Sequence, residues 1–358
     1  MKKRTFLKQL GIGTGAAFVL PTLFTSCESS TGDFKLWVWT GGNKEAAQWD
    51  QEFKRLAEAG FHGVLCGGGQ AVLDKTIPIA QKYGLEIHAW MWVMNQPGNE
   101  EAQAHPEWYA VSREGNSSLA VRPYVDYYQW LCPNKPEVQE YLFNRMMTVT
   151  ELEGLDGIQL DYIRFCDVIL PRGLWSKYDL IQDHEMAEYD FCYCNTCRSK
   201  FEAAHGFDPL SLEDPSTSEE WKQFRYDSIT NVVNMIAKGV HDRQKKISAS
   251  VFATPTKARK LVRQAWDQWD LDFVFPMIYY KFYDEPVSFV ESGTAEGVKA
   301  LKGKIPLYTA QYLHDKTNDE VNDFIQAAKA GGSAGLALYD YGLMNDEFLN
   351  TISASTKT

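Results

Sequence analysis

The amino-acid sequence predicts an α/β protein of the (β/α)8 TIM-barrel class, with long insertions after strands three and four. Short apolar runs rich in β-branched and aromatic residues alternate with segments of helical periodicity. Eight such runs occupy residues 34–40, 63–66, 86–93, 157–165, 247–252, 273–280, 305–312 and 335–341. Strands that alternate with helices pair in parallel, and eight units in roughly 320 residues fit a closed barrel better than an open doubly wound sheet.

Two of the intervening segments show why helices are expected. In residues 136–153 the apolar side chains recur every three or four positions, and Pro136 stands where a first-turn proline belongs. A second helix is predicted over residues 43–59, with Gly60 as its terminating glycine. The glycines at 67–69 follow the second run but lack the spacing and the lysine of a phosphate loop, so a nucleotide-binding fold is not expected.

Composition excludes several classes of protein. The chain has 358 residues, 44% of them apolar, and a formal net charge of −11. A chain of this size buries a large core without disulfide or metal staples. No nucleic-acid partner is expected, because the only basic cluster is Lys2, Lys3 and Arg4 at the start. Aromatic residues make up 13%, which suits either sugar stacking or a large core.

The first residues read as an export signal. The basic cluster precedes an apolar run at 10–24 and then Thr25-Ser26-Cys27. Residues 3–8 resemble a twin-arginine signal with Lys3 in the first arginine position, and residues 23–27 resemble a bacterial lipoprotein box whose Cys27 is acylated. We therefore predict a signal peptide over 1–26, a tether over 27–33 and one barrel domain over 34–358. The protein would be exported to the periplasm or cell surface and held at the membrane by its lipid anchor. A plain cleaved signal with an incidental cysteine is the alternative.

The two longest connections follow the third and fourth predicted strands, at residues 95–135 and 166–216. Both lie on the βα side, the face that carries the active site in barrels of this class. The fourth run, residues 156–165 (DGIQLDYIRF), has the most chemical content. With period two, Gln159 and Asp161 share a face, and Asp161 falls where the barrel opens. Asp161 is thus a candidate acid, base or nucleophile, unless it is a structural anion paired with Arg164 or another basic group.

This fourth-strand segment resembles the motif of the glycosyl-hydrolase-like 10 group, bacterial lipoproteins regarded as glycoside hydrolases. Further matching words lie at 131–138 (LCPNKPEV), 221–225 (WKQFR), 248–252 (SASVF), 266–269 (WDQW) and 275–280 (FPMIYY). The resemblance implies a TIM barrel that acts on glycosidic bonds.

A more distant likeness is to family 18 chitinases on strands four and six. Asp156 and Asp161 match the first and third acids of their fourth-strand motif, and residues 277–279 resemble their Met-x-Tyr. Gln159 and Ile163 replace the middle Asp and the acid Glu. The substrate-assisted chitinase mechanism is therefore not expected, and a second carboxylate must come from another strand.

Glycoside hydrolysis by the usual route needs two carboxyl groups about 5–5.5 Å or 6.5–9.5 Å apart. Asp340, at the end of the eighth run, is the predicted catalytic partner of Asp161, with a helix or loop cap as its alternative role. Asp126, Asp284 and Glu285 are weaker candidates because loop acids are commonly only solvated.

Substrate-binding roles are predicted for residues at other strand ends. His88, Trp90 and Trp92 share one face of the third strand, which either points into the barrel or packs against helices. Tyr279 and Tyr280 end the sixth run, and one of the two is expected to face helices. Arg164 either keeps Asp161 ionised, grips an anionic sugar or forms a structural ion pair.

Cysteine spacing indicates a metal site. Cys192, Cys194 and Cys197 form a C-x-C-x-x-C pattern, dense enough for one tetrahedral zinc. Cys166 is the predicted fourth ligand, ahead of Cys132 and His184. The pattern resembles the structural zinc knuckle of family 42 β-galactosidases. Disulfides are the alternative in an exported protein.

Three functions follow from these patterns. The first is an exported glycoside hydrolase that needs no cofactor for catalysis and takes a carbohydrate substrate. The second is a surface glycan-binding lipoprotein without catalysis. A metal-dependent hydrolase such as a deacetylase is the third, but His88 is the one histidine found at a strand end.

Overall fold

The structure is a computed structural model that describes residues 34–356. Eight parallel strands form a closed barrel in which each strand pairs with its sequence neighbours and β8 closes onto β1. The strands are β1 (Lys35–Thr40), β2 (Gly63–Cys66), β3 (Glu86–Trp92), β4 (Gly157–Asp161), β5 (Lys246–Phe252), β6 (Phe273–Met277), β7 (Tyr308–Tyr312) and β8 (Gly335–Tyr339). The predicted (β/α)8 TIM barrel is confirmed.

Helices follow the strands around the outside of the barrel. They are α1 (Ala46–Glu58), α2 (Gln70–Tyr83), α3 (Glu100–Gln103), α4 (Pro136–Thr150), α5 (Asn195–His205), α6 (Glu219–His241), α7 (Pro255–Val262), α8 (Phe289–Leu301), α9 (Asn318–Ala330) and α10 (Asp346–Thr356). Of the helices in this described part of the chain, none is both long and apolar enough to cross a bilayer. The predicted export signal and Cys27 lie outside the described residues.

Local sequence explains where the predicted elements end. Pro136 begins α4 as predicted, and Gly60 takes a left-handed φ of 88° just beyond α1. The fourth strand ends at Asp161 instead of running to residue 165, because Tyr162 has a φ of 49° and cannot continue the ladder.

Alternate side chains of each strand fill the barrel interior. On β3, His88, Trp90 and Trp92 point inward and lie opposite Gly157, Gln159 and Asp161 of β4. Their neighbours Ile87, Ala89 and Met91 pack outward in the core between barrel and helices. The inner cluster is aromatic and includes Trp37, Trp39, Phe273, Phe275 and Tyr308. Many barrel interiors are filled by branched aliphatic residues instead.

The two long insertions pack against each other. Backbone hydrogen bonds join Arg113 N to Asp190 O (2.9 Å) and Tyr193 N to Val111 O (2.8 Å). The Tyr124 hydroxyl also donates to Gln182 Oε1 at 3.1 Å. Both insertions contribute side chains to the cavity at the carboxy-terminal end of the barrel.

Candidate active site

Asp161 occupies the position that period-two alternation predicts, at the carboxy-terminal end of β4 and facing the barrel mouth. Trp90 Nε1 donates to its Oδ2 at 2.9 Å, and the backbone N–H of Tyr162 donates to its Oδ1 at 2.7 Å. Tyr162 reaches this geometry in a left-handed backbone conformation, which is uncommon for a bulky residue and is often found at functional sites. The carboxyl group is therefore fixed in orientation by two donors.

Burial sets the protonation of this carboxyl group. Burial raises the pKa of Asp161 above its ordinary value, while the Trp90 and Tyr162 hydrogen bonds and the Arg164 charge oppose it. In the described residues no Lys, Arg or His nitrogen lies within 4.0 Å of Asp161, so it is not a salt-bridged structural anion. A carboxyl group with a raised pKa can carry a proton and deliver it to a leaving group.

Aromatic rings line the cavity around Asp161. The volume of this cavity is about 300 Å³. That is the lower end of the range for ligand pockets, about 300–1,000 Å³. Rings of Trp92 and Tyr162 lie 4.5 Å apart at one side, and those of Tyr279 and Tyr312 lie 5.8 Å apart at the other. Burial and the nearby Asp161 charge raise the pKa of Tyr279 well above its usual value, so its hydroxyl keeps its proton. Flat rings and hydroxyl donors are what a sugar requires.

Arg164 forms an ion pair with a different acid from the one predicted. Its Nη1 donates to Asp167 Oδ2 at 2.9 Å, and both side chains are almost fully buried. Its guanidinium lies 4.8 Å from the Trp130 ring centre and 4.9 Å from that of Phe252. Of the three predicted roles, the contacts match the structural ion pair.

The structure corrects two predicted substrate contacts. His88 does point into the barrel, but it is fully buried at the amino-terminal end, where its Nε2 lies 2.9 Å from Glu86 Oε1. Tyr280 faces the helices, and its hydroxyl donates to Glu320 at 2.9 Å. Trp90, Trp92 and Tyr279 do line the mouth. His88 was the strand-end histidine considered for a deacetylase site. It lies at the amino-terminal end of the barrel and not at the mouth.

Asp340 is not among the residues that line this cavity. Tyr339 points into the mouth, and the Asp340 side chain takes the other side. There burial, with a smaller contribution from the Asp340 charge, raises the pKa of Glu52 above its usual value. Besides Asp161, Asp167 is the other carboxylate among the described residues of the lining. The weaker candidates Asp284 and Glu285 form surface ion pairs with Arg172 and Lys257.

Sequence reasoning missed several rings of the mouth. Tyr312 and Tyr339 end β7 and β8 and face inward, Tyr162 directly follows β4, and Tyr127 and Tyr128 come from the first insertion. Period-two alternation could have placed Tyr312 and Tyr339 in the mouth. Each lies two positions after an alanine that faces the barrel interior, so it shares that alanine's face of the strand. The insertion tyrosines carry no comparable periodicity.

Four cysteine sulfurs meet where the two insertions touch. The Sγ atoms of Cys132, Cys192, Cys194 and Cys197 all lie within 4.8 Å of one another, and all four residues are buried. Cys132 Sγ lies 3.5 Å from both Cys194 Sγ and Cys197 Sγ. Tetrahedral zinc with bonds of about 2.3 Å places its sulfur ligands about 3.8 Å apart, so the four sulfurs fit one ion.

The structure corrects the prediction that Cys166 completes this group of cysteines. The Cys166 side chain is buried beside Asp167 and does not belong to the sulfur cluster. The fourth sulfur of the cluster belongs to Cys132, which lies in the other insertion, shortly before α4. His184 is exposed and pairs with Asp183 at 2.7 Å. All six cysteines in the described part of the chain are free, which leaves no disulfide among them.

The sequence matches the family described as Glycosyl hydrolase-like 10 over residues 38–168, which confirms the predicted resemblance. The matched region contains strands β2 to β4, the second half of β1, the first insertion and Asp161. No curated protein matches the chain by sequence.

Solved structures similar to this chain include glycosidases. The β-amylase catalytic domain of Paenibacillus polymyxa aligns with TM-score 0.61 and 9% identity, covering 90% of this chain and 97% of that one. A β-galactosidase from Marinomonas ef1 aligns with TM-score 0.63 and 10% identity, covering 90% of this chain but 59% of that one. A class V chitinase from Pseudomonas fluorescens Pf-5 aligns with TM-score 0.52 and 9% identity, covering 91% and 100%. At identities this low, the structural similarity establishes the shared barrel fold alone.

Proposed function

We propose that this protein is a glycoside hydrolase in which Asp161 exchanges the proton at the scissile bond. The observation that carries the proposal is the Asp161 carboxyl group itself. It is oriented by Trp90 and Tyr162, its pKa is raised, and it faces a ring-lined cavity of sugar size. The glycosyl-hydrolase-like match across β4 supports the same chemistry.

In the proposed reaction, protonated Asp161 gives its proton to the glycosidic oxygen as the bond from that oxygen to the anomeric carbon breaks. Water then supplies hydroxide to the anomeric carbon, and its remaining proton passes to a carboxylate. Sugar rings stack on Trp92, and the Tyr279 hydroxyl donates to a substrate oxygen. Asp340 stays the predicted second carboxyl group, and reaching the cavity would require a rearrangement of the segment after β8.

The decisive experiment measures reducing-end release from a panel of polysaccharides by three variants. Asp161→Asn should lower turnover by about 10²–10⁴-fold, the usual contribution of a general acid or base. Asp340→Asn tests the predicted pair and should lower turnover comparably if Asp340 takes part. Asp74→Asn, an exposed acid on α2, is the matched control and should leave turnover unchanged. Unchanged turnover in Asp161→Asn would exclude Asp161 from the chemistry.

A glycan-binding protein without catalysis is the second candidate, favoured by the position of Asp340 outside the mouth lining. It predicts that the wild-type chain binds a polysaccharide of the panel and releases no reducing ends. Saturable release that Asp161→Asn abolishes would rule it out.

We also propose a structural zinc ion bound by Cys132, Cys192, Cys194 and Cys197. The Asn134 amide donates to Cys197 Sγ at 3.3 Å, and the Val111 N–H donates to Cys192 Sγ at 3.4 Å. Such donors orient thiolate ligands and offset their charge. A full set of four protein ligands leaves no open position, so the ion would join the two insertions and take no part in catalysis.

Metal analysis of the purified protein tests this site. Wild-type protein should contain one zinc per chain, and Cys132→Ser should lose it and melt at a lower temperature. Cys166→Ser removes another buried thiol next to the cavity and should keep the full zinc content. Zinc-free wild-type protein, or equal zinc in both variants, would contradict the proposal.

Finally, we propose that residues 1–26 direct export and that acylated Cys27 anchors the mature chain. The basic, apolar and small-residue regions of the sequence support this. Mass spectrometry of the mature amino terminus should find a diacyl- or triacyl-modified Cys27, and Cys27→Ala should release the protein from the membrane fraction. An unmodified amino terminus in a protein that sediments with membranes would contradict lipidation.

A further inference from the structure

A groove beside the mouth has about four times the volume of the mouth cavity, about 1170 Å³ against about 300 Å³. We propose that it binds further sugar units of an extended glycan chain that lacks anionic substituents. This inference rests on the proposed glycosidase function. It specifies the substrate class as an extended glycan chain instead of a disaccharide.

Continuity between groove and mouth comes from two tryptophans. Trp90 and Trp92 line both spaces. The indole of Trp90 stands between them, because its Nε1 edge bonds Asp161 while its Cε3 edge lies against Gly67 of the groove wall. A Cβ atom on Gly67 would come within 2.8 Å of that edge, so glycine allows the ring to approach the backbone closely. A chain that leaves Asp161 across Trp92 therefore enters the groove directly.

Polar groups on α4 form the far wall of the groove. Glu137, Glu140 and Asn144 are three or four residues apart, so they share one face of the helix, and all three are exposed. Neither glutamate forms an ion pair within the described residues. Carboxylate and amide groups without protein partners are available to sugar hydroxyls.

The floor of the groove contains an unpaired donor. Asn95 is fully buried, and its Oδ1 accepts from the backbone N–H of Gln129 at 2.8 Å. Its Nδ2 has no hydrogen-bond partner. A buried amide without a partner is costly, and an oxygen atom of a bound ligand would satisfy it. This donor is independent evidence for a ligand, since it does not depend on the exposed acids.

Charge decides which glycans fit. Glu101, Glu137 and Glu140 line the groove, and Arg145 is the one Lys or Arg among the described residues of its lining. Arg145 Nη1 is engaged with Trp92 O at 3.1 Å and with Gln96 Oε1 at 3.0 Å. The acids thus outnumber the cations, and a chain of uronic acids or sulfated sugars would be repelled.

The test compares a chain-length series from disaccharide to hexasaccharide, taken from cello-, xylo-, malto- and chito-oligosaccharides. Wild-type kcat/KM should rise with length on the best series. The double variant Glu140→Gln/Asn144→Ala should lower kcat/KM on the hexasaccharide about tenfold and change it by less than about twofold on the shortest substrate that is cleaved. Glu153→Gln, an exposed glutamate just beyond α4, is the matched control and should match wild type at every length.

Failure of this inference is distinguishable from failure of the proposed function. If Asp161→Asn abolishes cleavage but the double variant keeps the wild-type length dependence, the groove does not bind the chain. If wild type cleaves none of the series, calorimetry still tests the groove by measuring the affinity of the same proteins for the hexasaccharide. Hexasaccharide affinity equal in wild type and the double variant, or no binding at all, would overturn the groove. Tighter binding of an oligogalacturonate than of any neutral hexasaccharide would overturn the assignment by charge.

Discussion

At the amino-terminal end of the barrel three basic side chains lie within 3.3 Å of Glu86, whereas at the carboxy-terminal end Asp161 accepts hydrogen bonds only from neutral N–H groups. Glu86 lies 2.9 Å from His88 Nε2, 3.3 Å from His62 Nε2 and 2.9 Å from Lys246 Nζ. Burial raises the pKa of Glu86, but these partners outweigh it and hold the pKa well below its usual value. Burial prevails at Asp161, whose pKa is raised.

The same alternation of side chains along the strands therefore places a carboxyl group at each end of the barrel, and the two carboxyl groups have different roles. The lower group is neutralised by ion pairs, and Trp37 and Phe273 pack against its partner His88, so it contributes to stability. The upper group lacks a contacting cation and faces a cavity, so its protonation can change during a reaction. Substitutions at the lower end should therefore affect unfolding, and substitutions at the upper end should affect activity.

The largest loss of stability is expected for Gly157→Ala at the lower end. A Cβ atom there would lie 2.4 Å from the Lys246 carbonyl oxygen and 2.6 Å from His88 Cε1, and neither can move freely. We expect a loss of about 3 kcal/mol in the free energy of unfolding, measured by urea denaturation. Gly67→Ala at the upper end should instead displace Trp90 and lower activity with a smaller loss of stability. Equal stability losses in the two variants would contradict the comparison.

Glu86→Gln should have the next largest effect, a loss of about 2 kcal/mol at pH 7, since it leaves His88 and Lys246 without their anion. The folded-state pKa of Glu86 is lowered, so its stabilisation is present above the unfolded pKa of about 4.3 and is lost as the pH falls through the folded pKa. The difference between wild type and variant should shrink on acidification. Turnover at a temperature well below melting should be unchanged. A variant difference that grows toward low pH would refute the assignment.

The smallest change in stability is expected for Trp90→Phe, where the effect should appear in the pH profile. The variant loses the N–H that lowers the pKa of Asp161, so that pKa should rise further. With Asp161 as general acid, the alkaline limb of kcat/KM should move to higher pH, and turnover should fall about tenfold because the carboxyl group loses one orienting bond. Tyr280→Phe removes a hydroxyl outside the mouth and should leave the profile in place. A limb that moves to lower pH would contradict the general-acid role.

The barrel itself follows from the sequence because each strand buries both faces and each helix carries one apolar stripe, both of which are local patterns. The inward position of Asp161 follows for the same reason, since it depends on parity within a single strand. Parity also explains why Asp340 lies outside the cavity lining at the end of β8, because Tyr339 holds the inward position.

Local sequence patterns could not predict the features that depend on how the insertions fold. Cys132 and Cys197 are separated by 65 positions, and which cysteine completes the cluster depends on how the two insertions cross in space. The pairing of Arg164 with Asp167 depends on a turn that Tyr162 creates by its left-handed backbone. Such turns need tertiary contacts to hold them and carry no periodic signal.

The crossing of the two insertions limits how the protein can be re-engineered. Cys132 stands in one insertion and its three partners in the other, and the Arg113–Asp190 and Tyr193–Val111 backbone bonds join the same two segments. Exchanging either segment alone between related barrels would separate Cys132 from its three partners and break the two backbone hydrogen bonds. A chimera that transplants residues 95–135 together with 166–216 would carry the shared joint intact, so the pair constitutes a single heritable module.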